Sequence, residues 1–161
     1  MTVKLPKMSG EEIENLLDEQ MLCRIAFKGE EHPYIAPFQY IRMDGNLYFH
    51  FTDYGKKMRL MGRDRRVCVE VESYLPDLSQ YCFVVLRGSV KVVEDPGERK
   101  RAIGKMSREA EGRLSTNFLC AHGFPVEGGW SSLSPEKPLV IVKLVDITEL
   151  VGLKSPGNPG T

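Results

Sequence analysis

The chain has 161 residues, 42% of them hydrophobic and 27% charged, which is typical of a folded domain with its own core. Its 22 basic residues equal its 22 acidic residues, and this balance argues against a dedicated nucleic-acid binder. The sequence shows neither a membrane-spanning apolar run of ~20 residues nor the apolar core of a signal peptide. We therefore expect a cytoplasmic protein without membrane contact, with one domain over residues 1–152 and a flexible tail over 153–161.

The four cysteines are isolated from one another, and no two of them form a Cys-x-x-Cys pair. Three of them lie in strand-like apolar stretches, which favours reduced core thiols over a disulfide framework or a zinc site. A catalytic thiol at Cys120, two residues before His122, is the alternative. A free cysteine more often behaves as a small buried hydrophobe, so we predict no metal site and no catalytic cysteine.

The N-terminal third of the chain predicts one helix followed by three strands. Ser9 and Glu12 form a capping box before apolar residues at helical spacing, which predicts an amphipathic helix ending near residues 19–21. Three strands joined by hairpin turns are predicted over 22–28, 33–43 and 47–52. A proline inside a strand is confined to an edge, a bulge or an interrupted ladder, so Pro37 marks an edge or backbone groups left for a ligand.

The remainder of the chain predicts three more strands and two more helices. The strands are predicted over 66–74, 81–94 and 138–151, and the helices begin near Met58 and after the cap residue Asp95. Gly88 interrupts the longest strand and predicts a bulge of the kind that turns a barrel corner. Residues 113–137 show no clear periodicity. Six strands and three short helices are typical of a mainly β fold, a small antiparallel barrel with helices outside it.

The turn that follows the third strand carries the functional hypothesis. His50 and Thr52 share one face of the strand, Gly55 ends it, and Lys56 and Lys57 occupy the first turn of the next helix. A helix N-terminus already carries about half a positive charge, so two cations there are unfavourable unless an anion binds. Backbone N–H groups, a hydroxyl and two ammonium groups would together bind a phosphate. The alternative is a solvated basic helix start, because arginines continue the positive run and no glycine-rich nucleotide fingerprint is present.

His50 and Trp130 each have two interpretations. His50 lies on the polar face predicted for its strand, where it is either a hydrogen-bonded structural residue or a donor to the phosphate. Trp130, the only tryptophan, follows two glycines and either stacks on a ligand ring or lies in a dimer interface.

Several segments, taken in order, resemble the FMN-binding split barrels of the pyridoxamine 5′-phosphate oxidase-like superfamily, and in particular the short nitroimidazole-resistance-type flavoproteins. The segments are Ile-Ala-Phe at 25–27, His-Pro-Tyr-Ile-Ala-Pro at 32–37, Asp-Gly-Asn-Leu-Tyr-Phe-His at 44–50, Gly-Lys-Lys at 55–57 and Arg-Arg-Val-Cys-Val-Glu-Val at 65–71. The resemblance covers residues 8–152. It implies an FMN-binding split β-barrel of about six antiparallel strands with short outer helices.

The resemblance also implies where the cofactor lies. It places the FMN phosphate against His50, Thr52, Lys56 and Lys57, the turn that charge and spacing select independently. The nitroimidazole branch often has Gly-His-Lys there, whereas this chain has lysine at the middle position. A homodimer with one flavin in each of two subunit grooves is expected.

The remaining site residues are implied by resemblance alone. Pro37, Phe38 and Gln39 are placed along the flavin ring system, and Arg24 matches a family arginine that reaches the phosphate. Trp130 is expected on the flavin, carried by a lid or dimer arm.

The expected activity follows from the cofactor, because a flavin carries its own redox chemistry and the protein supplies position and electrostatics. We expect an oxidoreductase that passes electrons or hydride from a reduced donor to a small flavin, nitroaromatic or quinone acceptor, and we name no catalytic residue. The Arg-x-His of the true pyridoxamine phosphate oxidases is not found, so vitamin B6 oxidation is not expected. The alternative is a protein that stores FMN or holds haem without turnover.

Overall fold

In the computed structural model, six antiparallel strands with alternating apolar residues form a closed barrel. The structure describes residues 4–120 and 124–157. The strands are β1 (Leu22–Phe27), β2 (Tyr34–Met43), β3 (Asn46–Phe51), β4 (Arg66–Tyr74), β5 (Tyr81–Val92) and β6 (Val140–Lys154). Around the barrel they follow the order β1-β2-β3-β6-β5-β4. The predicted mainly β fold, a split barrel of six antiparallel strands with short outer helices, is confirmed.

Two of the helices begin where their capping residues, Ser9 and Asp95, predict. The helices are α1 (Gly10–Glu19), α2 (Lys56–Arg63), α3 (Pro96–Ala110) and α4 (Asn117–Cys120), and a 3-10 stretch covers Val126–Ser132. At α1 the Ser9 hydroxyl accepts a hydrogen bond from the Glu12 amide at 3.2 Å, and the Ser9 amide donates to the Glu12 carboxylate at 2.7 Å. At α3 the Asp95 carboxylate accepts from the backbone N–H of Glu98 at 2.6 Å. Both caps satisfy N–H groups that have no partner within the helix.

The core has one part inside the barrel and a second part outside it. The interior is filled by apolar side chains from all six strands, and α1 covers it with three buried residues, Ile13, Leu16 and Leu17. Outside, α3 packs against the outer face of β2, β3 and β6 through a second cluster. Its members are Ile41, Tyr48, Val93, Ala102, Ile103, Met106, Leu133, Leu139 and Ile141.

This second cluster corrects the prediction made for one face of β3. His50 was expected on the polar face of β3, which it shares with Tyr48, but the two side chains are only 4% and 2% exposed. The expectation is wrong because α3 and the segment after it cover that face, which a period-two pattern within the strand does not reveal. His50 is therefore a buried polar residue.

Gly88 lies where the ladder between β5 and β6 shifts register, between Arg87 and Ser89. A Cβ atom at Gly88 would lie 2.7 Å from the carbonyl oxygen of Val145, so only glycine allows the strands to approach this closely. The predicted bulge is confirmed.

β6 continues to Lys154 and includes the first two residues of the predicted tail. The backbone N–H of Lys154 donates to the Pro6 carbonyl at 3.0 Å, and that of Ser155 donates to the Tyr81 carbonyl at 2.8 Å. These bonds move the start of any tail beyond Ser155. Residues 158–161 lie outside the described residues, and the flexibility of the tail stays a prediction.

β2 and β3 separate near one end of the barrel, and this separation positions the candidate site. Residues 34–39 of β2 pair with β1, whereas residues 40–43 pair with β3. The last pair of the β2–β3 ladder is Tyr40 with Phe49. The next opposed positions are Gln39 and His50, directly before the turn that leads into α2.

Candidate anion-binding site

Polar groups converge at the turn between β3 and α2. The hydroxyl of Thr52 accepts a hydrogen bond from the ammonium group of Lys57 at 2.7 Å and donates one to the carbonyl oxygen of Tyr54 at 3.0 Å. Gly55 follows with a φ of 96°, a conformation that favours glycine, and it turns the chain into α2. The structure therefore brings together Thr52 and Lys57, two of the predicted site residues.

The start of α2 presents positive charge without a capping side chain. Gly55 occupies the N-cap position and offers no side-chain acceptor, and the first turn of the helix contains no acidic residue. The first N–H groups of a helix have no carbonyl partner within it, and they lie at the positive end of the helix dipole. This end of α2 is consequently suited to a bound anion.

Lys57 is half-buried, and burial lowers the pKa of its ammonium group below the ordinary value of 10.5. Among the ion pairs of the described residues, none joins Lys57 to a carboxylate. A cation that loses hydration and gains no counter-charge is unfavourable until an anion approaches it. The electrostatics of the turn therefore favour a negatively charged ligand.

Lys56 lies beside the same turn but contacts an aromatic ring. Its ammonium nitrogen is 5.3 Å from the centroid of the Tyr34 ring, within the range of a cation–π interaction. Lys56 is exposed, and the described ion pairs do not include it either. A second cation is thus available at the first residue of α2.

A cavity of about 230 Å³ lies directly beside the turn. The end of β3 and the residues just after it form one wall, and Phe124, Pro125 and residues 137–139 form the second wall. Thr52 lines this cavity and also accepts the hydrogen bond from Lys57. The cavity therefore adjoins the cationic turn. Phe124 and Pro138 give the second wall flat apolar surfaces, which suit a ring.

A larger cavity of about 670 Å³ lies elsewhere, between α1 and the turn that joins β4 to β5. It contains none of the predicted site residues. We assign the site to the smaller cavity, because it is lined by Thr52, the hydrogen-bond partner of Lys57.

Two of the residues predicted along a flavin ring are buried next to this site. Phe38 packs inside the barrel with its ring centroid 4.9 Å from that of Phe51. Gln39 donates a long hydrogen bond of 3.4 Å to the Met106 carbonyl, and its side-chain oxygen has no partner among the described residues. Pro37 is exposed on β2. The three residues lie on the part of β2 that pairs with β1, two of them buried and one exposed.

Arg24 is not brought to the turn. It lies on the outer face of β1 and forms ion pairs with Glu70 at 3.3 Å and Glu72 at 2.5 Å, both on β4. The hydrogen bond to Glu72, with the charge of that carboxylate, raises the pKa of the Arg24 guanidinium above its usual range. Its charge is therefore already compensated within the chain.

Trp130 is part of the core. It is 6% exposed and packs in a cluster with Met21, Ala110 and Leu119. Its indole N–H donates to the Leu114 carbonyl at 3.1 Å. Trp130 does not line the cavity beside the turn, and the structure does not bring it together with Thr52 and Lys57.

The sequence analysis missed the second wall of the cavity. Phe124, Pro138 and Leu139 lie in or next to a segment without periodicity, and nothing local indicates that it folds back over β3. The role of Arg99 was missed as well. Its hydrogen bonds to Pro135, Lys137 and Leu139 join positions about 40 apart in sequence, which local patterns do not reveal.

The cysteines show no sign of a nucleophile or metal site in the part of the chain that is described. All four are free, and burial raises the pKa of the Cys23 thiol. No group of three or more potential metal ligands is found among residues 4–120 and 124–157. His122 lies outside the described residues, so its suggested pairing with Cys120 is not seen.

Solved structures share the fold of this chain at low sequence identity. A FAD-binding protein from Mesorhizobium loti is 22% identical, with a TM-score of 0.69 over 96% of this chain and 100% of that one. A candidate 5-nitroimidazole antibiotic resistance protein from Bacteroides thetaiotaomicron is 17% identical, with a TM-score of 0.66 over 96% and 92%. A FAD and heme binding protein from Mycobacterium smegmatis is 17% identical, with a TM-score of 0.65 over 95% and 74%.

The sequence itself carries a family relationship. No curated protein matches the chain. The profile of the family described as pyridoxamine 5′-phosphate oxidase matches residues 9–121, which is well over half of the chain. The match covers α1 to α4 with the first five strands of the barrel, and it includes the cationic turn. The chain belongs to the pyridoxamine 5′-phosphate oxidase family.

Proposed function

We propose that this protein binds FMN through the turn between β3 and α2 and uses it to transfer electrons. The observation that carries the proposal is Lys57, a half-buried cation that is hydrogen-bonded to Thr52 at an uncapped helix start and has no carboxylate partner. Similarity to proteins named as binding FAD supports a flavin as the ligand.

The turn suits a terminal phosphate, which carries a charge of about −1.5 to −2 at neutral pH. Thr52 and Lys57 hold the phosphate, together with the first N–H groups of α2, and Lys56 adds a second positive charge. A compact cluster of donors of this kind fits the single phosphate of FMN. Selection of FMN over FAD is part of the proposal.

The separated ends of β2 and β3 and the second wall of the adjoining cavity would hold the flavin ring. Phe124, Pro138 and Leu139 exclude water from one side of the ring. The flavin supplies the redox chemistry when bound, and the chain holds its phosphate and orients its ring. Donor and acceptor are small molecules in this proposal, and the protein acts in the cytoplasm. None of the described helices is long and apolar enough to cross a membrane.

We also propose that the protein is a homodimer with the flavin at the subunit interface. The outer face formed by β1, β4 and β5 presents apolar residues between its ion pairs, including exposed Leu22 and half-buried Phe83 and Val85. Ile35, on the adjoining part of β2, is 61% exposed. A second copy of the chain would cover these residues and approach the exposed Pro37.

The decisive experiment is to identify the bound cofactor and then titrate the protein freed of it with FMN, riboflavin and FAD. We expect a flavin absorption spectrum and FMN binding at least about tenfold tighter than riboflavin binding, because riboflavin lacks the phosphate. Equal affinity for FMN and riboflavin would refute the phosphate site. Reduction of the bound flavin by NAD(P)H, followed by reoxidation with a nitroaromatic or quinone, then separates an enzyme from a storage protein.

A further inference from the structure

We propose that Arg99 is a positioning residue for the ring-binding cavity and holds the wall of that cavity at a fixed distance from the barrel. The inference rests on the proposed function, since it concerns the cavity beside the phosphate-binding turn. Arg99 itself does not line the cavity and belongs to neither the turn nor α2.

Arg99 forms hydrogen bonds with three backbone carbonyl groups in or next to the second wall of the cavity. Its guanidinium donates to the carbonyl oxygens of Pro135 at 2.7 Å, Lys137 at 2.9 Å and Leu139 at 3.0 and 3.3 Å. Lys137, Pro138 and Leu139 are residues of the cavity lining. A single side chain therefore fixes the stretch of backbone that faces the end of β3.

The helix that carries Arg99 is itself tied to the barrel. The preceding residue, Glu98, accepts hydrogen bonds from the Tyr48 hydroxyl and the Lys143 ammonium group, each at 2.7 Å. Tyr48 lies on β3 and Lys143 on β6. The position of the wall is thus set by a chain of contacts from the barrel through Glu98 and Arg99.

The chemistry of the contact requires arginine in particular. A guanidinium group presents five N–H donors in a rigid plane and can satisfy three carbonyl groups at once, whereas a lysine ammonium group is a compact point charge. None of the ion pairs found among the described residues involves Arg99, so its charge is directed at backbone dipoles. Such a contact fixes the path of a segment and contributes no recognition of its own.

The test uses Arg99→Ala and Arg99→Lys, with Arg101→Ala as the matched control. Arg101 lies on the same helix but is exposed and contacts Asp44, away from the cavity. For each variant, FMN and riboflavin affinities are measured with the visible spectrum of the bound flavin and the thermal unfolding of the flavin-free protein. Lys57→Ala is measured in parallel as the variant that removes a phosphate contact.

We expect Arg99→Ala to weaken FMN and riboflavin binding by the same factor, about tenfold, because ring contacts are lost and phosphate contacts remain. Its bound-flavin spectrum should shift toward that of flavin in water, and Arg99→Lys should lie between it and wild type. Wild-type flavin affinity and spectrum in both Arg99 variants would overturn the inference, and so would a loss confined to FMN. If Arg99→Ala does not fold, Arg99→Lys decides between these results. Failure of the wild-type protein to bind any flavin would instead refute the proposed function.

Discussion

Two cationic regions of the molecule differ in how their charge is compensated. On the outer face of β1, Arg24 is held by Glu70 and Glu72, and all three side chains belong to a surface ion-pair cluster. At the turn before α2, Lys57 donates to the Thr52 hydroxyl and has no carboxylate partner among the described residues, and burial lowers its pKa. Of these two cations, Lys57 is the one that has no carboxylate partner among the described residues and could therefore bind an anionic ligand.

The same contrast exists between the two ends of α2. Arg63 in its last turn pairs with Glu30, and Arg66 just beyond it pairs with Asp64, whose pKa is held well below its usual range by that contact. Cations at this end also interact favourably with the helix dipole. Lys56 and Lys57 occupy the end where the dipole opposes them. The two ends of α2 therefore differ in their counter-charges, which a count of basic residues does not show.

The largest expected effect comes from removing the uncompensated charge. Lys57→Ala should weaken FMN binding roughly 10- to 200-fold, because a charge-assisted hydrogen bond to phosphate contributes about 1.5–3 kcal/mol. Riboflavin affinity should stay at the wild-type value, since riboflavin carries no phosphate. Isothermal titration of the flavin-free protein with both ligands measures the two affinities.

Lys91→Ala is the matched control for this comparison. Lys91 is an exposed residue of β5, and its replacement makes the same change in net charge away from the turn. A similar loss of FMN affinity in both variants would show that overall charge, and not the turn, attracts the ligand.

A smaller effect is expected from pH, and it sharpens the difference between the two cations. Because burial lowers the pKa of Lys57, its ammonium group loses its proton at a lower pH than an ordinary lysine with a pKa of 10.5. FMN affinity should therefore fall as the pH rises through that lowered pKa. Lys57→Arg should abolish the fall, because a guanidinium group stays protonated. Fluorescence titrations of FMN at stepped pH give the profile of each protein.

The sign of the effect on stability is opposite. In the flavin-free protein the folded state disfavours the charged form of Lys57, so the unfolded chain binds more protons between the lowered pKa and 10.5. The contribution of Lys57 to the free energy of unfolding should thus rise with pH in that window. Urea unfolding of wild type and Lys57→Arg at stepped pH isolates this contribution of Lys57 to the free energy of unfolding. A contribution that falls with pH in that window would contradict the assigned cause.

Much of the fold could be predicted from the sequence, and so could the contact between Thr52 and Lys57 at the candidate site, because both depend on local spacing. Apolar alternation defined the strands, Ser9 and Asp95 marked helix starts, and Gly88 marked a bulge. Thr52 and Lys57 are five positions apart on either side of one turn, so a local reading could bring them together.

The parts that could not be predicted depend on contacts between distant segments. The burial of His50 follows from helix α3 and the segment beyond it, and Trp130 packs in the core against residues from α3 and α4. Arg99 reaches carbonyl groups 36 to 40 positions away in sequence. The compensation of Arg24 depends on Glu70 and Glu72 in a neighbouring strand, so its sequence position alone could not show that its charge is occupied.

The smallest effect is expected at Arg24, where the charge is compensated and the side chain is half exposed. Arg24→Ala should leave FMN affinity unchanged and should alter the free energy of unfolding by about 0–1 kcal/mol, as is usual for surface ion pairs. The loss of stability should be greatest at neutral pH, where Glu70 and Glu72 are left facing each other as like charges. Adding Glu72→Gln to the same variant should restore stability. Urea unfolding at pH 4 and pH 7, with FMN titration, tests both statements. A marked loss of FMN affinity in Arg24→Ala would mean that Arg24 reaches the phosphate despite its two carboxylates, and the distinction between compensated and uncompensated cations would fail.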